Sequence, residues 1–242
     1  LLIPEENGGL GLDLLFAAAI SQSLGGAVAP VPFCGSYVMA PIAIKLGSNK
    51  NQAAKILDEM SVGNIKFGIG FSDYFGSRNS SKINFSGQVV NGNTLFAIDT
   101  DHATHLLVSD TNGVLGIVPL DHETISSIDL ITVDKTRIYK EIKFENTPIE
   151  ILEGTMKSKN PIEKAIDAGR ITLAADSLGA SQTMLDMAVS YSKERKQFNR
   201  VIGSFQAVKH MCAEMASELE PCYSLVWHAA HSFDNDEDNS KL

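Results

Sequence analysis

The hydrophobic period of this chain changes twice, and those changes exclude most single-class folds. Apolar residues recur at helical spacing up to about residue 63. They alternate with polar ones from about 64 to 153, then return to helical spacing. An α+β fold follows: a helical N-terminal part, a middle antiparallel β-barrel or sandwich domain, and the start of a C-terminal helical bundle. The expected domains are 1–63, 64–153 and 154–242.

Local signals place the elements. A turn at Pro4-Glu5-Glu6-Asn7-Gly8-Gly9-Leu10-Gly11 precedes helix-like stretches at 14–24, 37–46 and 52–60. Asp13 is placed to cap the first, Gly25-Gly26 to stop it, and Pro30, Pro32 and Pro41 keep the helices short. In the middle zone, Asn91-Gly92 and Asn112-Gly113 each read as a hairpin turn between alternating stretches. A further strand over 138–144 should end at Asn146-Thr147-Pro148. Asn160-Pro161-Ile162-Glu163 is a helix start, with Asn at the N-cap, Pro at the first helical position and Glu completing a capping box. The run continues to about Lys196, a polar segment interrupts it over 199–203, and Ser204 caps a second long helix. That helix should reach about Phe233 and bend at Pro221. The acidic tail from Asp234 reads as a solvated loop.

Composition narrows the function classes. Hydrophobic residues make up 44% and charged ones 20%, enough for a core but without a membrane-spanning run. A formal net charge of -9 argues against a general nucleic-acid binder, which needs a basic face. Cys34, Cys212 and Cys222 are too sparse for a disulfide framework and suit a reducing, cytoplasmic setting. His228 and His231 share a helix face, but no thiol or carboxylate accompanies them as a zinc site would require, so no metal is expected. The first residue is Leu1 rather than Met, so the chain is expected to start inside a longer reading frame. Two long amphipathic helices at its end lack partners for their apolar faces.

The helical, β, helical order and several motifs together resemble the acyl-CoA dehydrogenase family. The most specific match is Tyr191-Ser192-Lys193-Glu194-Arg195-Lys196-Gln197-Phe198-Asn199-Arg200-Val201-Ile202-Gly203-Ser204-Phe205-Gln206-Ala207-Val208-Lys209-His210. Family members carry an Arg-x-x-Phe segment and then a Phe-Gln or His-Gln pair at this spacing. Pro4-Glu5-Glu6 with Gly8-Gly9-Leu10-Gly11, and the stretches at 87–92 and 106–108, resemble the family's N-terminal entry and β domain. The resemblance implies FAD held between the β domain and the second helical domain. It also implies a carboxylate that removes the α-proton of an acyl-CoA thioester while the β-hydrogen leaves as hydride. An electron-transferring flavoprotein is the implied acceptor, and a homodimer, homotetramer or heterotetramer the implied assembly.

The implied cofactor contacts are Arg195, Lys196, Gln197, Phe198, Phe205 and Gln206, which in the family reach across a dimer interface into the neighbour's FAD. A forked guanidinium suits phosphate oxygens. Without the resemblance, the Lys193, Arg195 and Lys196 cluster is simply a basic helix end complementing the helix dipole. Asp167 and Arg170 are read either as a local ion pair or, with Ser77, as acyl-CoA contacts. Some members place a catalytic Glu just before that Arg; here the position is Gly169, so the base is expected beyond the chain's end.

The flavin-ring positions depart from the family pattern. Its Thr-Glu-Pro becomes Phe71-Ser72-Asp73, ahead of Gly76-Ser77-Arg78, and its Trp-Ile-Thr becomes Phe96-Ala97-Ile98. Phe96 retains a ring for stacking, whereas Phe71 and Ile98 lack the hydroxyls. A loop without a ligand is the alternative there. Three functions compete: an acyl-CoA dehydrogenase, a non-catalytic subunit that lends FAD contacts to a partner, and an acyl-CoA oxidase.

Overall fold

The computed structural model describes residues 1–74, 82–156 and 160–235. Helices α1 (Leu14–Gly26), α2 (Ala40–Gly47) and α3 (Lys50–Ser61) come first, α2 being entered through a π-wound turn over Phe33–Met39. Eight strands follow: β1 (Phe67–Gly70), β2 (Asn84–Ser86), β3 (Val89–Ile98), β4 (His105–Ser109), β5 (Leu115–Pro119), β6 (Ile125–Leu130), β7 (Tyr139–Pro148) and β8 (Glu150–Ile151). The long α4 (Asn160–Glu194), a short hairpin of β9 (Lys196–Gln197) and β10 (Arg200–Val201), and α5 (Gln206–Asn235) complete the chain. The expected order of helical, β and helical zones is the observed one. Among the described residues no helix is long and apolar enough to cross a membrane.

The chain packs as two compact units, one of residues 1–13 and 30–169, the other of 14–29 and 170–242. In the first, the strands form one sheet in the order β6-β7-β3-β1-β4-β5-β8, with β2 added to β3. Among the described residues every pairing in this sheet is antiparallel except β1 with β4. Strand alternation sends successive side chains to opposite faces. Phe67, Ile69, Leu107, Leu115 and Ile117 therefore join Ile44, Ile56, Leu57, Ile162 and Ile166 on the helix-covered side. Leu106, Val108 and Val118 meet Val90, Ile142 and Phe144 on the other. Both faces of the central strands are buried, which is why β1 and β4 read as nearly continuous apolar runs.

Several local expectations are corrected. Asn91-Gly92 is no turn: it lies inside β3, at a register shift opposite β7. A side chain at Gly92 would sit 1.7 Å from the Lys82 carbonyl, so glycine is required by close backbone approach. The hairpin turn is Gly87-Gln88, with Gly87 at φ +62°, as a II′ turn needs at its first position. Asn112-Gly113 does turn the chain between β4 and β5, held by the Asp110 carboxylate, which accepts from the Asn112 and Val114 N–H groups. β7 does not stop at Asn146 but runs through Pro148, absorbing a left-handed Asn146. Glu163 accepts from the Tyr74 hydroxyl, a bond no local capping signal reveals.

In the second unit α1 lies backbone to backbone on α4. Ser21 donates to the Thr172 carbonyl and Thr183 to that of Gly26. Asp234 is not solvated loop: it lies in the last turn of α5 and accepts the Leu14 N–H at 2.8 Å, capping α1 from 220 residues away. Ser204 donates to the Val201 carbonyl, and α5 begins two residues after it. His228 and His231 lie near Ser232 and Asn235, respectively.

Candidate cofactor-contact site

Arg195, Lys196, Gln197, Phe198, Phe205 and Gln206 lie together at the corner between α4 and α5. The last turn of α4 closes with the Arg195 N–H donating to the Tyr191 carbonyl, and the Ile202 N–H donates to Arg195 in turn. Between these bonds the chain makes a two-residue hairpin whose central residues, Phe198 and Asn199, have φ of +52° and +61°. Those are type I′ values, the twist that suits a tight hairpin. Gln197 pairs directly with Arg200, and Lys196 with Val201. Pleat alternation therefore puts Gln197 and Arg200 on one face and Lys196 and Val201 on the other, with Arg195 just before the hairpin.

This arm is open to solvent. Phe198 is 88% exposed, and its ring meets Phe205 edge to face at 6.1 Å. The Arg200 guanidinium lies 3.9 Å from the centre of the Phe205 ring. Gln206 begins α5, with its amide 3.4 Å from the His210 ring. Exposed guanidinium and amide donors beside an exposed aromatic ring are a donor set that fits a dinucleotide diphosphate.

The ring-contact positions of the first unit tell the opposite story. Phe71 is 3% exposed and belongs to the helix-side core with Met39, Ile69 and Ile166. Ile98 packs against that core and pairs with Ile69. Neither side chain offers a hydrogen bond, so these side chains do not fit the polar edge of an isoalloxazine. Phe96 stands in a register shift of β3 with φ +54° and is 50% exposed, its ring set edge-on to Tyr139. A bulge re-aims a side chain out of the sheet. Ser72 is used internally: its hydroxyl accepts the Leu95 N–H and bonds the Thr94 hydroxyl. Ser77, with Gly76 and Arg78, lies outside the described residues.

Asp167 and Arg170 both lie on α4, Asp167 half-buried and Arg170 exposed. Between them Gly169 is buried, and a side chain there would meet Met39, with Sδ 2.8 Å and Cγ 3.1 Å from its first carbon. The Cys34 thiol sits 3.7 Å from the Gly169 carbonyl and 4.0 Å from the Met39 sulfur. Met39 and Cys34 escape a sequence reading because nothing local links residue 39 to residue 169.

A second feature missed from sequence is Asp99. Its φ is +58°, and one carboxylate oxygen accepts the N–H groups of Gly35 (2.6 Å) and Ser36 (3.2 Å). It borders a cavity of about 450 Å³ lined by Ile3, Pro41, Met60 and Ile65 among others. Burial pushes the Asp99 carboxyl above its ordinary range, against the two backbone donors and the positive charge of Arg137. The raised folded value means a stability contribution that is full below the unfolded carboxyl value and lost as pH rises through the folded one. Asp99→Asn keeps an acceptor for both N–H groups and removes the charge. Its stability relative to the native protein is therefore expected to rise between pH 4.5 and 7.5 in urea melts. Asp99→Ala strands both donors and should cost about 1–3 kcal/mol at either pH. An Asn variant that tracks the native protein at both pH values would remove the burial penalty from the account.

Residues 160–241 match the family model described as acyl-CoA dehydrogenase, C-terminal domain. The acyl-CoA dehydrogenase IpdE2 of Mycobacterium tuberculosis is 30% identical over 232 residues, 96% of this chain and 61% of that protein. The caffeyl-CoA reductase-Etf complex subunit CarC of Acetobacterium woodii is 45% identical over 78 residues, 32% of this chain and 21% of that protein. Among solved structures, the Tcur3481-Tcur3483 steroid ACAD has a TM-score of 0.84 at 26% identity, covering 99% of this chain and 66% of that one. The chain thus spans about 60% of the length of the curated relatives that it matches from end to end.

Proposed function

Because this chain belongs to the acyl-CoA dehydrogenase family, we propose that it works within an FAD-dependent enzyme that introduces an α,β double bond into acyl-CoA thioesters. Its own part is to lend the 195–206 arm to FAD carried by a neighbouring subunit. The observation that carries this reading is the contrast within one chain. The arm presents exposed donors, while Phe71 is buried in apolar core where the family resemblance expects a flavin-bonding hydroxyl.

FAD, when bound, supplies the hydride acceptor. Toward it, Arg195 offers a forked donor to the diphosphate, Gln197 and Gln206 add amide donors, and Phe198 an apolar face. Asp167 and Arg170 are the acyl-CoA contacts on α4, together with Ser77. Gly169 cannot take the α-proton, so the carboxylate that does so stands elsewhere in the assembled enzyme. An electron-transferring flavoprotein as acceptor is supported by the relative named for its Etf complex. Assembly with a different subunit is supported by the structural neighbour whose name joins two components.

A second reading, in which this chain holds its own flavin and catalyses independently, is favoured by the exposed Phe96 ring. Flavin content separates the two. Purified alone, incubated with FAD and desalted, the chain is expected to retain no stoichiometric flavin. In the assembly, Arg195→Ala should weaken FAD about ten-fold or more, since a charge-assisted contact contributes roughly 1.5–3 kcal/mol. Ile98→Thr should leave the assembly's flavin content unchanged. One tightly held flavin per isolated chain, retained in Arg195→Ala, would overturn the lending model.

A further inference from the structure

The Arg-x-x-Phe segment supplies one arginine, Arg195; the hairpin strand that follows carries a second, Arg200. Arg200 is directly opposite Gln197 across the β9–β10 pair, and Arg195 immediately precedes β9, its carbonyl accepting the Ile202 N–H. Its guanidinium lies over the Phe205 ring at 3.9 Å, and Phe198 meets the same ring edge-on. A contact of the guanidinium carbon with a ring face helps to order the side chain without consuming its N–H groups. Arg200 is exposed, and among the described residues its side chain makes no ion pair or hydrogen bond. A guanidinium held over a ring with open donors, in the same arm as Arg195, suits an anion of more than one charge.

We infer that Arg200 is a further cofactor-binding residue, forming with Arg195 a two-arginine clamp on the diphosphate of a dinucleotide. The inference rests on the proposed role of the arm and goes beyond it. A diphosphate bridge carries two negative charges, one for each guanidinium. The stack on Phe205 removes part of the ordering entropy that a free arginine loses on binding. Lys196, on the opposite face beside Val201, takes no part in the clamp. Phe205 acts through Arg200, as a positioning residue.

The test uses the flavin-loaded assembly of the full chain. FAD dissociation is followed by the recovery of flavin fluorescence, with FMN, which has a monophosphate and no diphosphate, as the second probe. Arg200→Ala is expected to weaken FAD about ten-fold and to leave FMN unchanged. Arg200→Lys should restore only part of the loss, because an ammonium is a point charge that neither stacks flat nor forks. The thermal midpoint of the flavin-free protein is expected to be the same for the native chain and Arg200→Ala. If Arg195→Ala weakens FAD and Arg200→Ala does not, Arg200 only packs on Phe205 and the clamp is wrong, while the arm's role stands. If neither does, the reading of the arm itself fails. Equal weakening of FAD and FMN, or full recovery with lysine, would also overturn the two-arginine clamp.

Discussion

Gly169→Glu is expected to destabilise the first unit by about 3–5 kcal/mol and to create no working base. Residue 169 is the position at which family resemblance puts a carboxylate in some members, so the substitution looks like a simple restoration. The structure says otherwise. The first carbon of any side chain there would lie 2.8 Å from the Met39 sulfur, in a core shared with Phe71 and Ile166. A carboxyl forced into that space has no partner, and an unpaired buried carboxylate is among the costliest changes a core can take. Shortening Met39 opens room. Met39→Ala alone should cost about 2–5 kcal/mol through the cavity it leaves. The pair Met39→Ala/Gly169→Glu should cost less than the sum of the two by about 1–3 kcal/mol, because the two changes share one volume. Urea unfolding midpoints of the four proteins measure that coupling. Strict additivity would mean that Met39 does not occupy the space above Gly169.

Gly179→Ala should be nearly as damaging in the second unit, at about 3 kcal/mol. An added methyl carbon at Gly179 would stand 1.8 Å from the Gln22 carbonyl oxygen, and one at Gly25 would stand 1.9 Å from that of Asp176. Both obstacles are backbone, which cannot rotate aside like a long side chain, so α1 must be pushed off α4. That shift would also break the bonds from Ser21 to Thr172 and from Thr183 to Gly26. The gain of about 1 kcal/mol in helix propensity on replacing glycine by alanine opposes the cost without cancelling it. Ser177→Ala, on the exposed side of the same helix, is the control and should stay within about 0.5 kcal/mol. A Gly179→Ala protein that melts like the control would show that the two helices do not touch at backbone distance.

The sequence by itself determined what short-range forces determine. Changes of hydrophobic period mark where helices give way to strands, because burial on one face needs a repeat matched to the element. Asn160-Pro161 starts α4 and Asn112-Gly113 turns β4 into β5, since each acts on the backbone within a few residues. The arm's motif was legible as a string, and so was the loss of hydroxyls at Phe71 and Ile98.

Tertiary structure alone decided the rest, because each remaining feature joins residues that no local propensity connects. Asn91-Gly92 carries as good a turn signal as Asn112-Gly113, yet the approach of the Lys82 carbonyl makes it part of a bulged strand. Parallel pairing of β1 with β4 and the cap that Asp234 gives to Leu14 depend on contacts across 38 to 220 residues, where loop closure rather than propensity decides. Met39 lies over Gly169 because two helices meet there, and no pattern within either helix records the meeting. Arg200 became legible as a partner of Gln197 only once the hairpin register was known. A shift of one residue would have turned it to the opposite face.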